Sequence, residues 1–329
     1  VQHENDIICP DCDELTRRDF VRTVGGMALA GAIPLVGAAR SLQAAPTPKS
    51  EAETVVKTLY QSLSAEQKKV VCFPFEHELR HTISANWKIT KPTIGDDFYT
   101  RDQRKLVDRI FRGVTSPEGY ERFQRQMRED WGGFEKYHMA IFGEPGTGKF
   151  EWEMTGRHLT IRADGNNVDK MAFGGPIVYG HGSPDTRKNL FHYQTKKANE
   201  VFGALEGKQR TQALVAVAPR ENAVPLQGKS GEFPGIPVSE LSADQKQLVE
   251  NTIKVILAPY REEDIDEALK MLKAGGGLNS LHMAFYTKGD LNKDKVWDLW
   301  RVEGPTFVWH FRGAPHVHTY VNIGMPAKS

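Results

Sequence analysis

The stretch that decides the reading of this chain runs from Pro305 to Ile323, PTFVWHFRGAPHVHTYVNI. Aromatic and β-branched residues alternate with polar ones on either side of Gly313-Ala314-Pro315, the pattern of two short strands joined at a turn. Successive side chains of a strand point to opposite faces. Thr306, Val308, His310 and Arg312 therefore share one face of the first strand, opposite Phe307, Trp309 and Phe311. On the second strand His316, His318, Tyr320 and Asn322 share a face, opposite Val317, Thr319 and Val321. A hairpin would gather three histidines, an arginine, a tyrosine and an asparagine on one surface, a composition suited to a metal or catalytic centre.

Upstream of this hairpin the residue period changes twice. From about Glu51 to Trp131 the pattern is mainly helical, with Tyr120, Phe123, Met127 and Trp131 recurring at spacings of three and four. From Tyr137 the period is two: Glu151 to Thr155 and Arg157 to Arg162 alternate, and Asp164-Gly165-Asn166-Asn167 reads as a turn. These strands predict an antiparallel meander with one wet face. Helical segments return at about Thr186 to Leu205, Ser242 to Leu257 and Glu262 to Lys273, with a Pro/Gly-rich loop near Pro219 to Pro237. Strands follow at Leu281 to Thr287 and Val296 to Val302. The expected fold is α+β: one large domain over 46–329, with a mostly antiparallel sheet and helices on its apolar face. Its helical part spans about 50–131 and its sheet-rich part about 137–329.

Ser64-Ala65-Glu66-Gln67 is a capping box, the Ser and Gln side chains satisfying free amides of the first turn. Ser242-Ala243-Asp244-Gln245 repeats it, and Leu205-Glu206-Gly207-Lys208-Gln209-Arg210 is a looser copy. Helix starts converge on such phrases for local reasons, so the expectation is of three similar caps rather than an internal repeat.

The 329 residues carry 43 Lys+Arg against 42 Asp+Glu, a balance that argues against a dedicated nucleic-acid binder. Thr16-Arg17-Arg18-Asp19-Phe20-Val21-Arg22 leads into an apolar, Gly- and Ala-rich run from Val24 to Ala38, then small residues to Ala44-Ala45-Pro46. This reads as a cleaved twin-arginine export signal over 1–45, which predicts engagement of the twin-arginine machinery and a periplasmic or extracellular location. The apolar run is shorter than the ~20 residues a membrane helix needs, so no stable span is expected. Cleavage removes four basic and six acidic residues, leaving 39 against 36, and takes the Cys9-Pro10-Asp11-Cys12 motif with it. Cys72 then has no partner for an internal disulfide.

Gly143-Glu144-Pro145-Gly146-Thr147-Gly148-Lys149-Phe150 resembles a nucleotide-binding loop, but Phe150 stands where a magnesium-binding Ser or Thr is required. A strand pattern follows where a helix is needed, so the segment reads as a hairpin loop.

With these motifs assembled, the chain resembles a family of unknown function, the domain of unknown function numbered 3500. Matching phrases are Phe142-Gly143-Glu144-Pro145, Trp152, Gly156-Arg157-His158-Leu159, Phe173-Gly174-Gly175-Pro176, the helix start at 241–246, Gly304-Pro305 and His316-Val317-His318. Arg157 departs from the pattern, which the resemblance associates with a second histidine before His158. The resemblance implies no reaction; it groups His158 with His316 and His318.

An HxH pair on a strand places two imidazoles on one face, close enough to chelate one ion, and His158 would complete a three-histidine site for zinc, copper or iron. Glu153 is the expected fourth ligand or general base. Arg312 and Arg162 suit an anionic substrate group. The other histidines read differently: His310 and His282 as structural, His181 as a loop residue facing either a pocket or water, His77 and His81 as one helix face. The resulting expectation is an exported metal-dependent hydrolase or oxidase acting on a small organic or carbohydrate-like substrate. The alternative is an exported non-catalytic protein that binds a metal or ligand.

Overall fold

A computed structural model of the protein describes residues 51–146, 149–165, 170–183 and 185–325. The segment read as an export signal, its CxxC motif and Asn166-Asn167 lie outside the described residues.

Each half of the chain opens with two short helices and a two-residue strand. In the first half these are α1 (Glu51–Ser62), α2 (Ala65–Val71) and β1 (Cys72–Phe73), followed by α3 (Arg101–Gly113) and α4 (Pro117–Trp131). Four strands complete it: β2 (His138–Gly143), β3 (Phe150–Gly156), β4 (Leu159–Gly165) and β5 (Ile177–His181). The second half repeats the order with α5 (His192–Ala204), α6 (Gly207–Ala213), β6 (Leu214–Val215), an added β7 (Ile236–Pro237), α7 (Ala243–Leu257) and α8 (Glu262–Ala274). It ends with β8 (His282–Tyr286), β9 (Leu299–Gly304), β10 (Phe307–Arg312) and β11 (Val317–Ile323).

The sheet order, β1-β2-β3-β4-β5-β11-β10-β9-β8-β6, is the same from either edge. The edge strands β1 and β6 run parallel to β2 and β8, and the longer strands pair antiparallel. The halves meet where β5 lies antiparallel to β11, Thr319 opposite Tyr179. The described residues thus form an internal repeat. The cap at Ser64 has its repeat partner at Glu206, which overturns the local reading for that pair. Ser242 instead starts the third helix of its half, as Thr100 does in the first, so its likeness to Ser64 is local. Gln67 and Gln103 exchange side-chain amide hydrogen bonds of 2.9 and 3.0 Å across 36 residues. Gln209 and Gln245 do the same at 3.0 and 2.8 Å across the same 36. In each half the second glutamine also donates to the end of the first helix, at Ser62 O and Ala204 O. Gly132-Gly133 and Gly276-Gly277, all at positive φ, lead into His138-Met139-Ala140 and His282-Met283-Ala284. The repeat escapes inspection because the copies share only scattered side chains, those needed to make caps and turns.

Helices cover one face of the sheet, where Trp152, Trp300, Trp309, Phe307 and Phe311 are buried in the main core. Trp300 and Trp309 meet edge to face at 4.2 Å, as expected for residues of the apolar face. The other face is not wet, contrary to expectation. Two irregular segments, around Arg80–Ile89 and Glu221–Leu226, lie over it. Trp87 Nε1 donates to Thr160 Oγ1, Arg162 donates to Arg80 O and Thr82 O, and Arg301 donates to Ala223 O. The first of these segments also corrects the expectation of a mainly helical region to Trp131. His77 caps a single 3-10 turn, Glu78–His81, rather than sharing a helix face with His81.

Lys149 leads directly into β3 and not into a helix, and its ammonium lies 5.5 Å from the centre of the Phe75 ring. No helix among the described residues is long and apolar enough to cross a membrane.

Candidate metal centre

His158 sits where β3 turns back into β4, at φ 56°, a left-handed conformation that few non-glycine residues adopt. Its backbone is fixed on both sides: the amide donates to Ala85 O at 2.6 Å, and the carbonyl accepts from Gly180 N at 2.9 Å. His316 follows Pro315, after a cis Ala314–Pro315 peptide, and His318 lies in β11 opposite Gly180. Because β5 is shared as a neighbour, the β3–β4 turn and the start of β11 come together at the seam between the two halves. One nitrogen from each of His158, His316 and His318 lies within 4.8 Å of the others. The ring centroid of His158 is 5.1 Å from each of the other two. Around a tetrahedral ion with bonds of ~2.05 Å the nitrogens stand about 3.3 Å apart, so small ring rotations close the set.

Two carboxylates orient these rings from behind. Asp130, near the end of α4, accepts from His158 Nδ1 at 2.8 Å, from Gln126 Nε2 at 2.7 Å and from Gly182 N at 2.8 Å. Burial raises the Asp130 pKa, but these hydrogen bonds outweigh it and leave the carboxyl below its ordinary value. A side chain at Gly182 would crowd this pair: a Cβ would stand 2.9 Å from Asp130 Oδ1 and 3.2 Å from His158 Cε1, so one of the two would have to shift. With Nδ1 taken, His158 Nε2 is buried without a hydrogen-bond partner. Glu221, from the loop over the polar face, lies 2.8 Å from His318 Nδ1 and pairs with Arg312 Nε at 2.6 Å. His316 Nε2 and His318 Nε2 are 3.0 Å apart. Burial, then the neighbouring imidazoles and Arg312, push His316 down to about 2 and His318 well below its usual range. Both rings are therefore neutral at pH 7, the form in which imidazole ligates metals. His316 is half-buried and Pro315 beside it is exposed, so the cluster opens to solvent on that side.

The structure separates Glu153 from this group. It is fully buried on β3, 3.0 Å from Arg162 Nη2, in a charge cluster with Glu151 and Arg80. Burial pushes its carboxyl well above the ordinary range despite Arg162. Arg162 is spent in the same cluster, which lies under the covering loop. Arg312 does reach the histidines, with Nη2 2.6 Å from His318 Nδ1. His181 is held on both ring nitrogens, accepting from Leu190 N and pairing with Glu129 at 2.9 Å. His310 accepts from Arg301 at 3.3 Å and is pushed down to about 3, chiefly by burial.

Asp130, Gln126 and Glu221 were missed in the sequence. The first two are polar residues on the buried side of α4, Gln126 beside Met127 and Asp130 seven residues after Phe123, and the third lies in a Pro/Gly-rich loop; neither context names a histidine as the partner. Only the glycines flanking His181 hinted at a close approach.

No curated protein and no solved structure matches the chain. A family model described as "Protein of unknown function (DUF3500)" matches residues 45–323, the whole repeat fold with all three histidines, and the chain belongs to that family.

Proposed function

We propose that this protein is an exported metal-dependent enzyme whose ion is held by His158, His316 and His318. The supporting observation is the convergence of three imidazole nitrogens within 4.8 Å, two of the rings backed by carboxylates. A carboxylate behind a ligating histidine sets its tautomer and raises its basicity. Three neutral nitrogen donors suit zinc, copper or iron, and leave a tetrahedral ion one position for water or substrate. Hydrolysis through a metal-bound water, or oxidation at a redox-active ion, of a small organic or carbohydrate-like molecule fits such an open site.

A second reading, a non-catalytic metal- or ligand-binding protein, is favoured by the position of Glu153. The one acid expected to serve as general base is ion-paired inside the sheet.

Elemental analysis of protein purified from the export compartment tests the centre. The expected result is about one transition-metal ion per chain, lost in His158→Ala, His316→Ala and His318→Ala with near-native circular dichroism. Unchanged metal content in all three variants would remove the site.

A further inference from the structure

We propose that Gln126 and Tyr137 are positioning residues of this centre, a clamp that sets the backbone and the ring of His158 together. The role depends on the three-histidine centre, of which His158 is one ligand. Gln126, on α4, and Tyr137, just before β2, are both fully buried. Gln126 Nε2 donates to Asp130 Oδ2 at 2.7 Å, and Asp130 in turn meets His158 Nδ1 at 2.8 Å. The same amide nitrogen lies 3.0 Å from Arg157 O and 3.1 Å from the Tyr137 hydroxyl, which itself donates to Arg157 O at 2.6 Å. One amide therefore reaches the ring of His158 through Asp130 and its backbone through the carbonyl that precedes it. A backbone carbonyl only accepts, so the amide must present its NH2 to this side. Gln126 Oε1 is then left buried without a hydrogen-bond partner, an arrangement that costs free energy and that packing alone would not select.

The other half of the repeat supplies the control. Its β9–β10 turn, Pro305-Thr306, corresponds to Arg157-His158, and Leu281 corresponds to Tyr137, each directly before His-Met-Ala. The packing is the same in both. A Cβ on Gly156 would stand 2.4 Å from Tyr137 Cδ1, and one on Gly304 would stand 2.8 Å from Leu281 Cδ2. Leucine thus fills the space without a hydroxyl. Thr306, in the place of His158, donates to Met271 O of α8. A Cβ on Gly275 would stand 2.3 Å from Thr306 Oγ1, so no side chain comes between helix and turn there. The fold therefore builds this turn without the buried amide, hydroxyl and carboxylate. They stand in the half whose turn carries a histidine, so they serve that histidine and not the turn.

Cobalt(II) is the probe, because its visible bands report the geometry of the donors around it. Gln126→Met keeps the volume and removes the amide; Tyr137→Phe removes the hydroxyl alone. Gln126→Met should bind cobalt about 10-fold more weakly than wild type, the lower end of the cost of losing a partner behind a ligand, with shifted bands. Tyr137→Phe should show a smaller loss. In an Asp130→Asn background Gln126→Met should cost less than in wild type, because part of its effect passes through Asp130. Equal losses in the two backgrounds overturn that route. Leu281→Ala, which loosens the corresponding turn of the other half, should lower the melting temperature and leave cobalt affinity unchanged. Should Gln126→Met not fold by circular dichroism, Tyr137→Phe carries the comparison. Wild-type affinity and bands in the folded variant overturn the clamp, and so does a loss in Leu281→Ala as large as in the clamp variants. Failure of wild type to bind cobalt is a different result: it overturns the metal centre, and the clamp with it.

Discussion

Asp130 shows how a single side chain organises the centre. It is buried, it touches His158, Gln126 and Gly182, and it holds one imidazole so that the other nitrogen points at two more histidines. Asparagine in its place keeps the volume but lets the amide donate, which favours the wrong tautomer of His158. Asp130→Asn should weaken metal affinity about 10- to 100-fold, the usual effect of losing such a partner, with the fold retained. Competition against a chromophoric chelator measures it; an affinity equal to wild type would mean that His158 needs no orienting. The left-handed backbone at His158 belongs to the same account. A conformation of this kind persists when its surroundings hold it, here through Ala85 O and Gly180 N.

At the scale of elements, the paired glutamines are the joints of the repeat. Each caps its own helix and also exchanges hydrogen bonds with the cap of another: Gln67 serves Ser64 and Gln103, Gln245 serves Ser242 and Gln209. Removing one amide leaves a half-buried partner unsatisfied. Gln103→Ala and Gln245→Ala should each cost roughly 1–3 kcal/mol. Double-mutant cycles for Gln67/Gln103 and Gln209/Gln245, read by urea unfolding, should give coupling energies of the same sign, each about 0.5 kcal/mol or more. Coupling in only one pair would show that the two joints are alike in geometry and not in energy. The strands carry a related lesson. Glu151, Glu153 and Arg162 alternate as a solvated face would, yet they are buried and paired with one another and with Arg80. Alternation reports which side of a strand a residue faces, not what covers that side.

At the largest scale, the described residues form two similar halves joined along β5 and β11, and the candidate centre lies at that joint. His158 and Asp130 come from the first half; His316, His318, Arg312 and Glu221 come from the second. A bound ion should therefore tie the halves together. Addition of zinc should raise the melting temperature, by an amount equivalent to about 2.7 kcal/mol when free metal is a hundredfold above its dissociation constant. Amide exchange should slow most at Gly180 and its neighbours across the β5–β11 register. A shift confined to another part of the sheet would place the ion elsewhere. The export reading belongs to the whole chain as well, and rests on Thr16 to Arg22. Lys in place of both Arg17 and Arg18 should leave uncleaved precursor in the cytoplasm, seen by fractionation and immunoblot; normal processing of that variant would end the reading.

The sequence by itself determined the α+β class, the helix ends at Pro117, Ser242 and Glu262, the closing hairpin with its aromatic face, and the grouping of His316 with His318. These are local matters: caps, turns and a period of two are written in neighbouring residues. Joining His158 to the HxH pair took the resemblance to a family as well as strand faces. Tertiary structure alone decided the repeat, the covering of the polar face, the withdrawal of Glu153 into an ion cluster and the recruitment of Asp130 and Glu221. Each of those depends on contacts between residues tens to nearly a hundred positions apart, Asp130 with His158 and Glu221 with His318 among them. Such contacts leave no periodic trace in a single chain, because periodicity reports which face of an element a residue lies on and not which distant residue meets it there.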